Sequence, residues 1–224
     1  MQNRRWGVGG LLFLSVAAVV TVALFPAIPQ DPAYHNFADT RPFFGIPNFG
    51  DIVSNFPFVV LGAWGLGFVA KRRRQPEEFL FAQEPRLWGV FFSGVFLVGF
   101  GSGYYHWNPT NETLVLDRLT IPVVLMSLFA YVIAERVGET VGRRLFPFLV
   151  LFGAGSVFDW HCTETIGRGD LRPYAVAQFF PMLAIALLLL MFPRRCTGTR
   201  CLWGAFAWNV VSKACEYFDG EIFE

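Results

Sequence analysis

Seven stretches of predominantly apolar residues, roughly 7–25, 50–70, 87–107, 113–134, 144–160, 172–193 and 201–218, are separated in this 224-residue chain by short polar connections. At 1.5 Å per helical residue, runs of about twenty residues match the ~30 Å hydrocarbon core of a bilayer. Backbone polar groups in hydrocarbon must be satisfied within the segment, so isolated runs of this kind become helices. The pattern predicts an all-α polytopic membrane protein with about seven transmembrane helices, forming a single transmembrane domain over 1–224. Composition agrees, with 54% hydrophobic residues, 26 Phe and a positive mean hydropathy. The first run follows MQNRR, but the apolar stretch from Val8 to Phe25 exceeds a signal-peptide core and no small-x-small site follows it. It reads as an uncleaved span.

Most of the 18 Lys and Arg residues fall on one side when seven spans alternate: Arg4, Arg5, Lys71 to Arg74, Arg86, Arg136, Arg143, Arg144, Arg194, Arg195 and Arg200. The positive-inside rule makes that side, with the N-terminus, cytoplasmic. Membrane lipids are then the expected surroundings of the basic loops, and a net charge of +1 argues against a nucleic-acid partner. Glu77, Glu78, Glu84, Glu135 and Glu139 on the same side read as a solvated, charge-balanced face. All three histidines, His35, His106 and His161, lie on the other side, together with Asp31, Asp39, Asp51, Asp117, Asp159, Glu164, Asp170, Glu216, Asp219 and Glu221. Any chemistry therefore opens to the non-cytoplasmic face.

The densest polar feature there is GSGYYHWNPTNETLVLD, 101–117. Ser102 and His106 are four apart and share a helix face. Asn108-Pro109 ends that helix, Asn111 or Thr113 caps the next, and Asp117 returns to the depth of His106. Ionisable groups within spans are costly unless paired, metal-bound or water-facing, so the trio is either a functional site or a hydrogen-bonded cluster that holds two helices together. The Pro-, Gly- and aromatic-rich loop 31–51 reads as an ordered lid over the same mouth. Calcium at its aspartates is the weaker reading, because no EF-hand spacing is present and turn capping accounts for them. His161 is a metal ligand or a hydrogen-bonded interfacial histidine. Lys213, Glu216 and Asp219 share a face on the last run, where Lys213 and Glu216 can form an ion pair. Cys162 and Cys215 could pair only if their helices are neighbours, Cys196 and Cys201 flank a cytoplasmic turn, and no Cys/His zinc spacing exists.

SNFPF at 54–58, GSGYYH at 101–106 with Asp117 eleven residues beyond His106, and AWNVVSKACE at 207–216 resemble the alkaline ceramidase family, including its bacterial ceramidase-like members, within a wider superfamily of intramembrane hydrolases. The resemblance covers about 31–219: a core over 50–224, an outer loop over 26–49, and 7–25 as an added N-terminal span. It implies a multi-pass protein of the bacterial inner membrane, a seven-helix core with a zinc ion near one membrane face, and hydrolysis of the amide of a long-chain N-acyl lipid such as ceramide. His106 matches the zinc-binding histidine, and Ser102 and Asp117 match residues that assist the chemistry.

The family's zinc site takes two more ligands from a His-x-x-x-His pair on its last helix, and this sequence contains no such pair. Three readings stay open. The chain is short of one family helix; His161 with Glu216 or Asp219 supplies replacement ligands; or catalysis is lost and a lipid-binding or structural membrane protein remains. A transporter fits less well, because the ionisable residues gather at one face.

Overall fold

A computed structural model describes residues 2–193 and 198–223. Arg194, Arg195 and Cys196, assigned above to a cytoplasmic turn, lie outside the described residues. The chain folds into nine α-helices among those residues: α1 (Gln2–Leu24), α2 (Phe49–Ser54), α3 (Phe56–Arg72), α4 (Glu84–Trp107), α5 (Asn111–Arg136), α6 (Glu139–Thr165), α7 (Arg172–Met191), α8 (Thr199–Tyr217) and α9 (Asp219–Phe223). Among the described residues, five spans are long and apolar enough to cross a membrane: Phe49–Arg72, which joins α2 and α3, and then α4, α5, α6 and α7. The protein is therefore a helical membrane protein. The first and last of the seven expected runs are also helical, as α1 and α8; the apolar stretch of α1 among the described residues is Ser15–Leu24.

Pro57 divides the first of these spans. Proline has no N–H to donate and crowds the preceding residue, so α2 stops at Ser54 and α3 restarts with Pro57 in its first turn. Asn55 fills the break, its Nδ2 donating to the Asp51 carbonyl at 2.8 Å. Pro122 and Pro181, by contrast, lie within α5 and α7. The turn between α4 and α5 differs from expectation in its cap. Thr110, not Asn111 or Thr113, is the N-cap of α5, and it forms a reciprocal capping box with Thr113.

α5 is the central helix. It packs on α4, α6 and α7; α3 flanks α4 on the outer side, and α1 and α8 touch α7. Leu87, Met126, Ala130, Val132 and Leu188 form one core, and Tyr105, Leu114, Val157, Trp160 and Tyr174 a second at the opposite end. The outer surface is apolar too: Trp64, Phe148, Leu151 and Leu190 are each at least 68% exposed. In water such a surface would cost about 25 cal/mol per Å2; in hydrocarbon it costs nothing.

The expected solvated acidic face is corrected at two positions. Glu135 is fully buried and paired with the buried Arg136, whose guanidinium also donates to the Phe192 carbonyl (3.0 Å) and Thr199 Oγ1 (2.6 Å). Glu84 is buried as well, accepting from the Leu80 amide and from Trp88 Nε1 at 3.0 Å. Arg136 thereby ties the end of α5 to the residues at the end of α7 and the start of α8, Glu84 ties the start of α4 to the preceding loop, and these bonds offset the cost of removing the carboxylates from water.

Candidate functional site

Helix α4 comes against the backbone of α5 at Gly101. A Cβ there would stand 2.6 Å from the Leu116 carbonyl oxygen and 3.3 Å from the Asp117 amide nitrogen, so only glycine lets the backbones approach this far. The contact sets Ser102, itself buried, beside Asp117, whose carboxylate lies within the influence of the Ser102 hydroxyl, His106 and Arg118. Ser102, His106 and Asp117 are thus brought together at one end of the bundle, opposite the basic helix ends.

His106 adds a fourth residue to the site. Its Nδ1 is buried without a hydrogen-bond partner and faces Asp51 Oδ2 of α2 at 3.8 Å. Its carbonyl accepts from Asn48 Nδ2 at 2.7 Å, and the Phe37 ring covers it with centroids 4.6 Å apart. The sequence grouped Asp51 with His106 but assigned it no role, and the structure brings the two side chains together. The only available signal was its position in the turn before a proline-started helix.

The loop expected as a lid lies over this end. His35 bridges two helices, with Nδ1 3.0 Å from the Tyr105 hydroxyl and Nε2 3.1 Å from Asn111 Oδ1. Asp31 caps the 3₁₀ turn Pro32–His35, accepting from the Ala33 amide at 2.8 Å. Asp39 pairs with Arg41 at 2.7 Å, and the Arg41 hydrogen bonds hold its carboxyl down at about 2. Both aspartates do the work that turn capping predicted. Tyr34 rests its hydroxyl 3.5 Å from Glu216 Oε1, and burial of that hydroxyl, followed by the Glu216 charge, pushes its pKa up to about 12. Asp219 accepts from the Ala38 amide at 3.3 Å, so the end of α8 and the start of α9 also touch the lid.

The expected Lys213–Glu216 ion pair is present. Cys162, Cys201 and Cys215 are free thiols. His161 has a buried, unpartnered Nδ1, but Glu216 and Asp219 are engaged by the lid. Among the described residues no three His, Cys, Asp or Glu side chains converge as a metal site. Catalytic zinc normally takes three protein ligands. His106, with Asp51 nearby, therefore does not complete the zinc site that the family resemblance implies, and the replacement set of His161 with Glu216 or Asp219 is not assembled.

Fold and site together define an α-helical membrane protein with a recessed Ser/His/Asp cluster at one end of its bundle, strapped by an ordered loop. Compared with protein-family models, with curated proteins and with solved structures, the chain gives no match.

Proposed function

We propose that this chain is the core of an intramembrane hydrolase acting on the amide of a long-chain N-acyl lipid such as ceramide. The carrying observation is the convergence of Ser102 and Asp117 beside a His106 whose Nδ1 is buried and unpaired. Neutral structural histidines in low-dielectric surroundings ordinarily satisfy both ring nitrogens, so a vacant one marks a place for a reacting group.

The chain's own residues supply three parts of amide hydrolysis. Asp117 orients a water and accepts its proton as general base, then returns it to the departing amine. The Ser102 hydroxyl, beside Asp117, turns about one torsion to donate to the oxyanion that forms on the carbonyl. The Phe37 ring, packed on His106, holds the imidazole in orientation. A two-tailed lipid suits this depth, because its amide lies at the polar edge while its chains remain among the exposed apolar helix faces. Alkaline ceramidase-like chemistry would add zinc on His106; no step here runs through it, since the described donors stop short of a full set. The same reading assigns α1 and α8 as the first and last of seven spans, the N-terminus to the cytoplasm of a bacterial inner membrane, and the site to the non-cytoplasmic face.

The incomplete donor set favours one second reading, a lipid-binding or structural membrane protein of the same fold. Detergent-purified full chain separates the two. Turnover of an N-acyl sphingoid base, with stoichiometric zinc, that both His106→Ala and Asp117→Asn abolish establishes the hydrolase. Well-folded protein with neither metal nor turnover, whose lipid binding survives His106→Ala, establishes the second reading.

A further inference from the structure

One residue beyond Asp117, the chain buries a cation that the hydrolytic site does not use. Arg118 is 5% exposed, and its guanidinium carbon lies 4.3 Å from the Trp160 ring centroid, 4.9 Å from Tyr174 and 5.2 Å from Tyr34. Three rings from α6, α7 and the lid thus surround one charge. Their π faces stabilise the flat surface of the guanidinium, but its N–H groups point outward in its own plane. Arg118 Nε and Nη1 are buried without hydrogen-bond partners, and so is the indole Nε1 of the fully buried Trp160. Asp117 feels the charge of Arg118, yet no ion pair among the described residues includes it.

Buried donors left unmade are expensive, most of all on a charged group. This set has three donors and no acceptor, so the complementary group presents acceptor oxygens and negative charge. One wall of the box is removable. Trp160 and Tyr174 are buried in the core, whereas Tyr34 is 41% exposed and is held at its hydroxyl by a long 3.5 Å contact to Glu216.

We propose that Arg118 and Trp160 form a receiving site for the oxyanion of an amphiphile, carboxylate or phosphate, which enters by displacing the Tyr34 ring. The bound headgroup then lies one residue from Asp117, with its tail directed into the bilayer. Binding needs no hydrolysis, so this assignment stands or falls separately from the proposed reaction.

The test is equilibrium binding of hexadecanoate, hexadecyl phosphate and hexadecanol to the full chain in phosphatidylcholine nanodiscs, with empty nanodiscs as background. At least one charged probe is expected to saturate a single site, with hexadecanol about 10- to 100-fold weaker. Competition by inorganic phosphate assigns the ligand to a soluble anion; its failure to compete assigns it to a lipid headgroup. Arg118→Met is expected to lose the charge-dependent part of the affinity. Trp160→Phe keeps an aromatic face without the N–H, and is expected to weaken binding roughly 3- to 10-fold. It carries the test if Arg118→Met does not fold. Tyr34→Ala, at an exposed position, is expected to speed association. The assignment is overturned if hexadecanol binds as tightly as the charged probes, if no probe binds, or if folded Arg118→Met or Trp160→Phe retains wild-type affinity. An unchanged association rate in Tyr34→Ala overturns the entry route.

Discussion

Gly101→Ala tests how the site is assembled. The added Cβ would stand 2.6 Å from the Leu116 carbonyl oxygen, about 0.7 Å inside an ordinary carbon–oxygen contact. Both partners belong to helix backbones, so no side chain can swing aside, and α4 must move from α5 by most of an ångström. Overpacking of this kind costs about 1–3 kcal/mol, offset by the 0.5–1 kcal/mol that alanine gains over glycine in a helix, which leaves a net loss of roughly 1–2 kcal/mol. At about 2–4 °C per kcal/mol for a chain of this length, the unfolding midpoint in detergent falls by roughly 2–8 °C. Gly103 lies two residues along the same helix with nothing within 4 Å of its missing Cβ. Gly103→Ala is therefore expected to hold or raise the midpoint, by up to about 1 kcal/mol in stability. The same displacement parts Ser102 from Asp117, so, if the proposed hydrolysis holds, turnover of an amide lipid is expected to fall about 100-fold in Gly101→Ala and to stay near wild type in Gly103→Ala. Equal midpoints for the two variants would refute the close-approach argument.

Other consequences follow from single contacts. Arg136→Met removes the guanidinium paired with the buried Glu135 carboxylate; a loss of about 3–5 kcal/mol is expected by denaturant titration, and the double change Glu135→Met with Arg136→Leu should recover much of it. Thr110→Ala removes the capping box of α5 and is expected to cost about 0.5–2 kcal/mol, read by thermal unfolding with Thr110→Ser as the conservative control. The carboxyls of Asp39 and Asp170 are both held below their ordinary range by hydrogen bonds from Arg41 and Arg172. A depressed folded pKa contributes stability that is present above the unfolded value near 3.9 and is lost as pH falls through the folded value, about 2 for Asp39. Hydrogen exchange in the lid, corrected for its intrinsic pH dependence, should therefore stay level from pH 7 to 5 and accelerate only below about pH 4. Asp39→Asn should remove that acid-dependent step.

The site combines a rigid part and a movable part. Ser102, His106 and Asp117 ride on two long helices locked at Gly101, whereas the residues that cover them, Tyr34, His35 and Phe37, come from a loop held by hydrogen bonds and ring contacts. On the proposed reading, a lipid headgroup would enter by lifting the loop while the two helices that carry Ser102, His106 and Asp117 stay in place.

Run length by itself determined that this chain is helical and membrane-embedded, because a twenty-residue apolar segment has no other way to satisfy its backbone in hydrocarbon. Local spacing also determined that Ser102 and His106 share a face, and that a proline turn returns Asp117 to them. Tertiary structure alone decided which helix is central. Core-facing and lipid-facing sides are both apolar, so hydropathy could not single out α5 from its neighbours. The same ambiguity hid the burial of Glu135 and Arg136, which by composition belong to a charged connection and in space lie inside the bundle. It hid Asp51 and Arg118 as well. Their roles depend on α2, α6, α7 and the lid meeting α4 and α5 at one end, and no local pattern encodes contacts between segments so far apart in sequence.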